Sequence, residues 1–386
     1  MSSGAGAGLV EAAESFDEEL RSRAADIEMA RRFPQDLSDR FAQAGFYRAC
    51  IPAAYGGLEC SPVELARTIE RLALADGSAA WCVFIGATSG SALASLDENS
   101  AQEIFTHPEV RIAGVFAPRG RAVRDGNNVR VTGRWQWGSG TQNSDWVLAG
   151  CLFERDGELE LLPDGRPRMH MVLVPHSDVT FHDTWHTSGL CGTGSTDFEL
   201  SDVVVPEERV VGLTGASLEA PLYAFPMFGL LALGIAGVAL GLARSAINEI
   251  VELATAKRPE ASRRTLAERR SAQSDTAEAE ALVRSSRAFF YETIESAWQS
   301  ALSTGAITVE HRRDLRLATT HTVRTCARAV DLMYTLGGGT SVYRESRLQR
   351  IFRDVHVATQ HMMVGPSTME VVGRLLLGLE TDVSQL

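Results

Sequence analysis

The chain has 386 residues, of which 45% are hydrophobic, and its formal net charge is −12. That size allows a large buried core built from two or three structural units, while the acidic balance, without a basic stripe carrying interleaved aromatic residues, argues against a nucleic-acid partner. The six cysteines form no CxxC pair, so the sequence predicts neither a disulfide framework nor a zinc site, and we expect a cytoplasmic protein.

The first region, residues 1–109, has the periodicity of helices. Apolar residues recur at spacings of three and four, as in Leu65, Ile69 and Leu72. Breaks come at proline and glycine positions such as Pro34 and Pro52. We therefore predict an N-terminal helical domain over residues 1–109.

The second region, residues 110–215, has the pattern of strands. Short apolar runs such as Trp146–Ala149 and Met171–Val174 are separated by turn sequences, among them Asp125-Gly126-Asn127 and Asp156-Gly157. Such runs, bounded by Gly, Asp and Asn, are typical of strands joined by tight turns. We predict a central antiparallel β domain of barrel-like form.

The third region, residues 216–386, returns to long helices, with sustained periodicity over Glu278–Ala301 and Arg312–Leu336. Its first segment, Met227–Ala243, has no charged or polar side chain. The segment falls just short of the ~20 apolar residues that span a bilayer, so we predict a buried central helix and no membrane association. The whole chain is predicted to be α+β and mostly α, with a C-terminal helical bundle.

The densest motif is the stretch V-T-G-R-W-Q-W-G-S-G at residues 131–140. Here Trp135 and Trp137 precede Gly138, Ser139 and Gly140. An aromatic plane beside small residues and a hydroxyl suits stacking and hydrogen bonding to a flat heterocycle. A strand with two core tryptophans and a glycine-rich turn would explain the same pattern.

A second motif, G-L-C-G-T-G-S-T-D at residues 189–197, combines glycines with the hydroxyls of Thr193 and Ser195. Such a loop can present backbone N–H groups to a ligand. It lacks the glycine spacing and the following helix of a dinucleotide-binding fingerprint. A plain β-turn is the alternative interpretation.

The third motif holds His356 and His361 in the stretch R-I-F-R-D-V-H-V-A-T-Q-H at residues 350–361. On a helix, two residues five apart point about 140° away from each other, so the pair is not expected to bind one metal ion. His182 and His186 are four apart, but they lie in strand-and-turn sequence with no nearby third ligand. We predict no metal site.

The order of the three regions, together with the first motif, resembles the acyl-CoA dehydrogenase superfamily over essentially the whole chain. Members have an N-terminal helical domain, a small β domain and a C-terminal four-helix bundle. They carry a Gly-Thr-Lys-x-Trp-Ile-Thr-like stretch, and Trp137 and Ser139 fall on its tryptophan and threonine. The resemblance implies a bound flavin, FAD or else FMN, held by Trp137, Gly138 and Ser139.

Two further segments are similar to flavin contacts in this superfamily. The second motif resembles a Gly-x-Arg-Gly-Thr-Gly-Ser segment of its flavin-dependent monooxygenases, which would place Thr193 and Ser195 near the flavin, although Cys191 replaces the usual arginine. Other contacts cross a subunit boundary in relatives and imply a homotetramer or homodimer; the matching residues here are Arg263, Gln273, Gly337, Gly338 and Gly339.

The resemblance favours an oxygenase over a dehydrogenase. Pro366 stands where many dehydrogenases have their catalytic glutamate, and Glu370 matches a later, non-catalytic position. Aromatic and thiophene monooxygenases of the superfamily have a histidine at the position of His361, which makes His361 the candidate catalytic residue together with Ser139. His356 is the second candidate histidine.

The resemblance thus implies the oxygenase component of a two-component system, similar to antibiotic-pathway aromatic and indole hydroxylases of the naphthocyclinone or xiamycin type. A separate reductase would supply reduced flavin, and O2 would form a C4a-hydroperoxyflavin that hydroxylates an indole- or phenol-type substrate in secondary metabolism. The expected substrate-binding residues are Trp81, Phe116, Phe225 and His356. An acyl-CoA dehydrogenase with a displaced base and a non-catalytic flavin-fold binding protein are the alternatives.

Overall fold

A computed structural model describes residues 6, 8–96, 98–212, 220–260, 262–384 and 386. The described part of the N-terminal region forms helices α1 (Leu9–Ser15), α2 (Asp17–Ala30), α3 (Gln35–Gln43), α4 (Pro62–Ala73), α5 (Gly77–Ser91) and α6 (Glu98–Ile104). Helix α5 begins where the Asp76 carboxylate accepts a hydrogen bond from the Ala79 N–H at 2.8 Å, which satisfies one of the free donors of the first turn.

The central region forms one sheet. Its strands are β1 (Ile112–Asp125), β2 (Asn128–Trp135), β3 (Trp146–Arg155), β4 (Glu158–Leu159), β5 (Met169–Pro175), β6 (Thr180–His182), β7 (Asp197–Pro206) and β8 (Val210–Val211). The strand order is β6-β7-β2-β1-β3-β5-β8, with β4 paired to β3.

The predicted antiparallel arrangement is wrong for one pairing, because β1 and β3 run parallel. Strand β2 folds back on one edge of β1, and the chain then crosses to the other edge of β1 and reverses again. Two reversals leave β3 pointing the same way as β1. Apolar alternation locates strands, whereas strand order depends on such long-range pairing.

The C-terminal region is helical, as predicted. Its helices are α7 (Met227–Ala256), α8 (Arg270–Thr304), α9 (Val309–Gly337), α10 (Arg347–Ala358) and α11 (Pro366–Leu376). The domain boundaries proposed from the sequence stay predictions.

Helix α7 and the segment Gly77–Ser95 are both long and apolar enough to cross a membrane, but 94% of the most apolar window of each is buried inside the protein. They are packed as core helices. Helix α7 approaches α4 closely at Gly241, where an added Cβ would lie against the Glu70 carbonyl oxygen and 2.5 Å from Ala73 Cβ. Glycine is needed there because no side chain fits between the two backbones.

Candidate functional site

The two tryptophans of the first motif have different surroundings. Trp135 ends β2 and is fully buried, stacked on Phe198 with ring centroids 5.1 Å apart, and its Nε1–H donates to the Gly150 carbonyl oxygen at 2.8 Å. Trp137 has a φ of +67° and a side chain that is 65% exposed. The core interpretation of the motif therefore holds for Trp135, whereas Trp137 presents an open indole face.

Backbone hydrogen bonds fasten the loop after β2 to the loop of the second motif. The Gly138 N–H donates to the Thr196 carbonyl oxygen at 3.0 Å, and the Gly140 N–H donates to the Thr193 carbonyl oxygen at 3.2 Å. This docking brings together Ser139 and Ser195, whose Oγ atoms are 2.6 Å apart. The two motifs, separate in sequence, form one site.

Ser139, Thr193 and Ser195 form a buried hydroxyl cluster. Thr193 Oγ1 lies 2.6 Å from Ser195 Oγ, and the Trp81 Nε1–H donates to Ser139 Oγ at 3.1 Å. Each of the four side chains is at most 6% exposed. Trp81, predicted as a substrate-binding residue, is therefore also a hydrogen-bond donor to this cluster.

The loop that carries Thr193 and Ser195 is anchored to α10. The Leu190 N–H donates to Asp354 Oδ1 at 2.6 Å, and Leu190 has a φ of +49°. Gly189 lies so close to α10 that an added Cβ would be 2.5 Å from the Arg353 carbonyl group. Burial raises the pKa of the Asp354 carboxyl to about 7, because the charged form is poorly solvated there. Sequence reasoning missed Asp354, since a lone aspartate on a helix gives no distinguishing signal.

His361 does not lie on a helix, contrary to the prediction. Helix α10 ends at Ala358, and His361 starts the short turn Met362–Val364 that precedes α11. Its Nδ1 accepts a hydrogen bond from the Met363 N–H at 3.3 Å. Pro366 starts α11 and disfavours helical geometry at Gly365, so α11 does not extend back toward His361.

The ring of His361 faces Trp81, with centroids 5.9 Å apart and an interplanar angle of 59°. Burial, together with the nearby positive charge of Arg316, lowers the pKa of His361 to about 4. The imidazole is therefore neutral at neutral pH. Because Nδ1 accepts a backbone N–H, the hydrogen of the neutral ring is on Nε2, which makes His361 a hydrogen-bond donor.

His356 makes other contacts. Its Nε2 lies 2.8 Å from Asp331 Oδ1 on α9, and its ring packs on Phe352 with centroids 4.5 Å apart. These contacts direct His356 toward α9, and a substrate contact stays a prediction.

The predicted aromatic lining is spread over separate parts of the core. Phe116 packs on Phe228 with ring centroids 6.5 Å apart, in a cluster with residues of the sheet. Phe225 packs on Trp298 with centroids 6.2 Å apart, against the helical bundle. Both are buried, so their contact with substrate stays a prediction.

His182 and His186 have carboxylate neighbours of their own. His182 Nε2 lies 2.9 Å from Glu199 Oε2, and His186 Nε2 lies 3.7 Å from Asp183 Oδ1. In the part of the chain that is described, no group of three or more His, Cys, Asp and Glu could hold a metal ion.

Lys257 links two of the segments predicted to lie across a subunit boundary, the glycine turn (Gly337, Gly338 and Gly339) and the loop that carries Arg263. The Lys257 Nζ donates to the Gly337 carbonyl oxygen at 2.5 Å and to Thr340 Oγ1 at 2.7 Å. The Lys257 carbonyl oxygen accepts from the Leu266 N–H, which closes the loop that carries Arg263. Sequence reasoning missed Lys257 as the link between the two segments.

This glycine turn (Gly337, Gly338 and Gly339) is far from His361. Arg316, whose Nη1 donates to the Met363 carbonyl oxygen at 2.7 Å, lies near the start of α9, and Gly337 ends that helix. At a rise of about 1.5 Å per residue, roughly 30 Å of helix separates Arg316, beside the turn that follows His361, from Gly337. Arg263 and Gln273 are exposed.

Residues 9–103 match the acyl-CoA dehydrogenase N-terminal domain, and residues 233–366 match the acyl-CoA dehydrogenase C-terminal domain. The chain is 36% identical to the indole-3-acetate monooxygenase of Pseudomonas putida, over 93% of this chain and 90% of that one. The chain belongs to the acyl-CoA dehydrogenase superfamily, in its flavin-dependent monooxygenase branch.

A second relative and a solved structure are also similar to this monooxygenase. It is 32% identical to an indole-3-acetate monooxygenase of Acinetobacter baumannii, over 94% of this chain and 92% of that one. Its fold matches XiaF from Streptomyces sp. in complex with FADH2 and glycerol, with a TM-score of 0.89 and 26% identity over 99% of this chain and 98% of that one. The predicted family, the order of helical region, sheet and helical region, and the enzyme class are confirmed.

The residues of the site fit a flavin. Trp137 holds a positive φ, which costs on the order of 1–3 kcal/mol for a residue other than glycine and persists where the surroundings or a function require it. The result is an exposed aromatic face next to Ser139, as a flat ring system requires.

Pro366 begins α11, and the next acid, Glu370, is exposed, so neither is a buried carboxylate base at the dehydrogenase position.

Proposed function

We propose that this monooxygenase hydroxylates an indole-type aromatic substrate of the indole-3-acetate kind, with reduced FAD or FMN from a separate reductase and with O2. The observation that carries the proposal is the arrangement of His361, Trp81 and Ser139, in which a neutral histidine faces the tryptophan that donates to the hydroxyl cluster. The names of the relatives that are 36% and 32% identical support the choice of substrate.

The chain's own residues have distinct tasks in this reaction. The indole face of Trp137 would stack against the flavin ring, and Ser139 would provide a polar contact at its edge. The bound flavin supplies the activated oxygen. The Nε2–H of His361 would donate to the substrate and orient it, because the Nδ1 of the ring is already engaged by the Met363 N–H. Deprotonation of the substrate by His361 would need the other tautomer.

A second part of the proposal concerns assembly. The glycine turn and the loop that carries Arg263 lie roughly 30 Å along α9 from the level of His361, given the rise of a helix. We propose that they contact the flavin held by a neighbouring subunit of a homodimer or homotetramer. A cytoplasmic location and a place in antibiotic biosynthesis stay predictions.

The test is a single turnover. The protein is loaded without oxygen with reduced FAD and indole-3-acetate, then mixed with isotopically labelled oxygen. One labelled oxygen atom in the aromatic product, with less hydrogen peroxide released than in the absence of substrate, is expected. Complete conversion of the oxygen to peroxide, with a set of indoles and phenols all unchanged, would refute the proposal. Turnover of an acyl-CoA with an electron acceptor would identify a dehydrogenase instead.

A further inference from the structure

The hydroxyl cluster has a fixed direction of hydrogen bonding. Thr193 Oγ1 lies 2.8 Å from the Leu190 carbonyl oxygen, which can only accept, so the single hydrogen of Thr193 points there. Ser195 must then donate its own hydrogen to Thr193, and Ser139 must donate to Ser195. At the other end, the Trp81 Nε1–H donates to Ser139. Each hydroxyl hydrogen in this chain of hydrogen bonds therefore has a fixed acceptor, and each points away from Trp81.

The end of this chain is held in place by the backbone. Leu190 keeps a left-handed conformation, and its N–H is bonded to the buried carboxyl group of Asp354. Its carbonyl oxygen also accepts from the Trp185 Nε1–H at 3.1 Å. The Leu190 carbonyl is therefore a fixed acceptor. If the hydrogen bonds ran in the opposite direction, this carbonyl oxygen would face the oxygen lone pairs of Thr193 at short range.

Ser139 is left with one lone pair and no free hydrogen. It can accept a hydrogen bond from a ligand, and it cannot donate one without breaking its bond to Ser195. Reduced and oxidised flavins differ in this respect at N5, which carries a hydrogen only in the reduced ring. A ligand atom that is itself an acceptor would leave a buried oxygen facing another oxygen or nitrogen lone pair.

We propose that Thr193 and Ser195 fix Ser139 as a hydrogen-bond acceptor and so make the site select reduced over oxidised flavin. Thr193 and Ser195 are positioning residues, because they act through Ser139. The inference rests on the proposed function for flavin binding and is independent of the aromatic substrate.

The chain offers a matched pair of variants. Thr193 and Thr141 are both buried, and each donates its hydroxyl hydrogen to a carbonyl oxygen three residues earlier, Leu190 for the first and Gly138 at 2.6 Å for the second. Only Thr193 belongs to the chain that ends at Ser139. T193V removes the acceptor of Ser195, so the direction of the hydrogen bonds from Ser139 to Thr193 can reverse. T141V removes an equivalent buried hydroxyl that takes no part in those hydrogen bonds.

The experiment measures the dissociation constants of oxidised FAD and of dithionite-reduced FAD, the latter without oxygen, for the wild type and both variants. The ratio of the oxidised to the reduced constant is expected to fall about tenfold in T193V, the worth of roughly one hydrogen bond, and to stay unchanged in T141V. S195A frees the hydrogen of Ser139 directly and should lower the ratio as T193V does. The same change must appear as a shift of the midpoint potential of bound FAD.

An unchanged ratio in both T193V and S195A, or an equal change in T141V, overturns the inference. Absence of binding of either flavin to the wild type overturns the inference and the proposed function together. A shifted ratio in a protein that hydroxylates no indole or phenol upholds the inference while the proposed function fails.

Discussion

At the scale of single residues, the electrostatic environment of His361 determines what its ring can do. The ring is half-buried, a positive charge lies near it, and a backbone N–H occupies Nδ1. A protonated ring would lose that last contact. The residue is therefore a neutral donor over most of the pH range, which suits orienting a polar atom of the substrate.

Replacing His361 by alanine should lower product formation per turnover by about 100-fold, the lower end for a positioned polar group, and leave the affinity for reduced FAD unchanged. His186→Ala is the control, since His186 is an exposed histidine beside Asp183. Product yield after a single turnover measures both. Equal hydroxylation by the wild type and H361A would remove His361 from the mechanism.

Because the pKa of His361 is lowered, we also expect the stability of the protein to depend on pH. The folded protein binds a proton at His361 less readily than the unfolded chain, whose histidine has the ordinary pKa of 6.5. The contribution of His361 to the free energy of unfolding is then fully present above pH 6.5 and is lost as the pH falls toward about 4. Replacing His361 by phenylalanine should flatten this acid-side decrease in Tm. Parallel Tm curves for the two proteins would contradict the shift.

At the scale of elements, Asp354 joins α10 to the loop that carries Thr193 and Ser195. Its carboxyl has a pKa raised from 3.8 to about 7, so the folded state holds this proton more tightly than the unfolded state. Its contribution is most favourable below pH 3.8 and is lost as the pH rises through about 7.

Asp354→Asn keeps an acceptor for the Leu190 N–H and removes the ionisation. We expect its Tm relative to the wild type to rise with pH across that interval. Asp354→Ala should lower the Tm at every pH and weaken flavin binding, because the loop loses its anchor. A difference between D354N and the wild type that is independent of pH would show that the carboxyl titrates normally.

Helix α7 offers a test of packing between elements. A methyl group at Gly241 would meet the backbone of α4, so Gly241→Ala should destabilise the protein by about 1–3 kcal/mol through overpacking. At Gly229 the nearest atom to an added Cβ is 3.8 Å away. Gly229→Ala should therefore be neutral or stabilising by up to about 1 kcal/mol, from helix propensity. Urea denaturation measures both, and equal effects would contradict the close approach.

At the scale of the whole molecule, large apolar side chains remain exposed just after the glycine turn and, separately, after α11. Val342 and Tyr343 are both 64% exposed, and Leu377, after α11, is 77% exposed. Exposed apolar groups of this size near a predicted subunit boundary favour assembly. We expect a native mass of two or four chains by light scattering.

Tyr343→Asp should weaken that assembly and the affinity for reduced FAD together. Leu161→Asp, at a 57% exposed site on the sheet region, provides the comparison. A monomer that binds reduced FAD as tightly as the wild-type assembly would exclude flavin contacts across subunits.

The sequence by itself determined the features that depend on near neighbours in the chain. Periodicity gave the order of helices, strands and helices, and the uncharged run at the start of α7 indicated a buried helix. The stretch from Trp137 to Ser139, and His361, stay predicted site residues, because the resemblance to the family singled them out and the short motifs alone left a structural interpretation open.

Tertiary structure decided everything that depends on partners distant in sequence. It paired β1 with β3 in parallel, placed Trp135 in the core and Trp137 outside, and turned His356 toward Asp331. It also brought Ser139 to Ser195 and set the direction of their hydrogen bonds. Local propensity fixes a residue's backbone, whereas the partner of a hydroxyl or an imidazole is set by which elements pack together, and that depends on the burial of the whole apolar core.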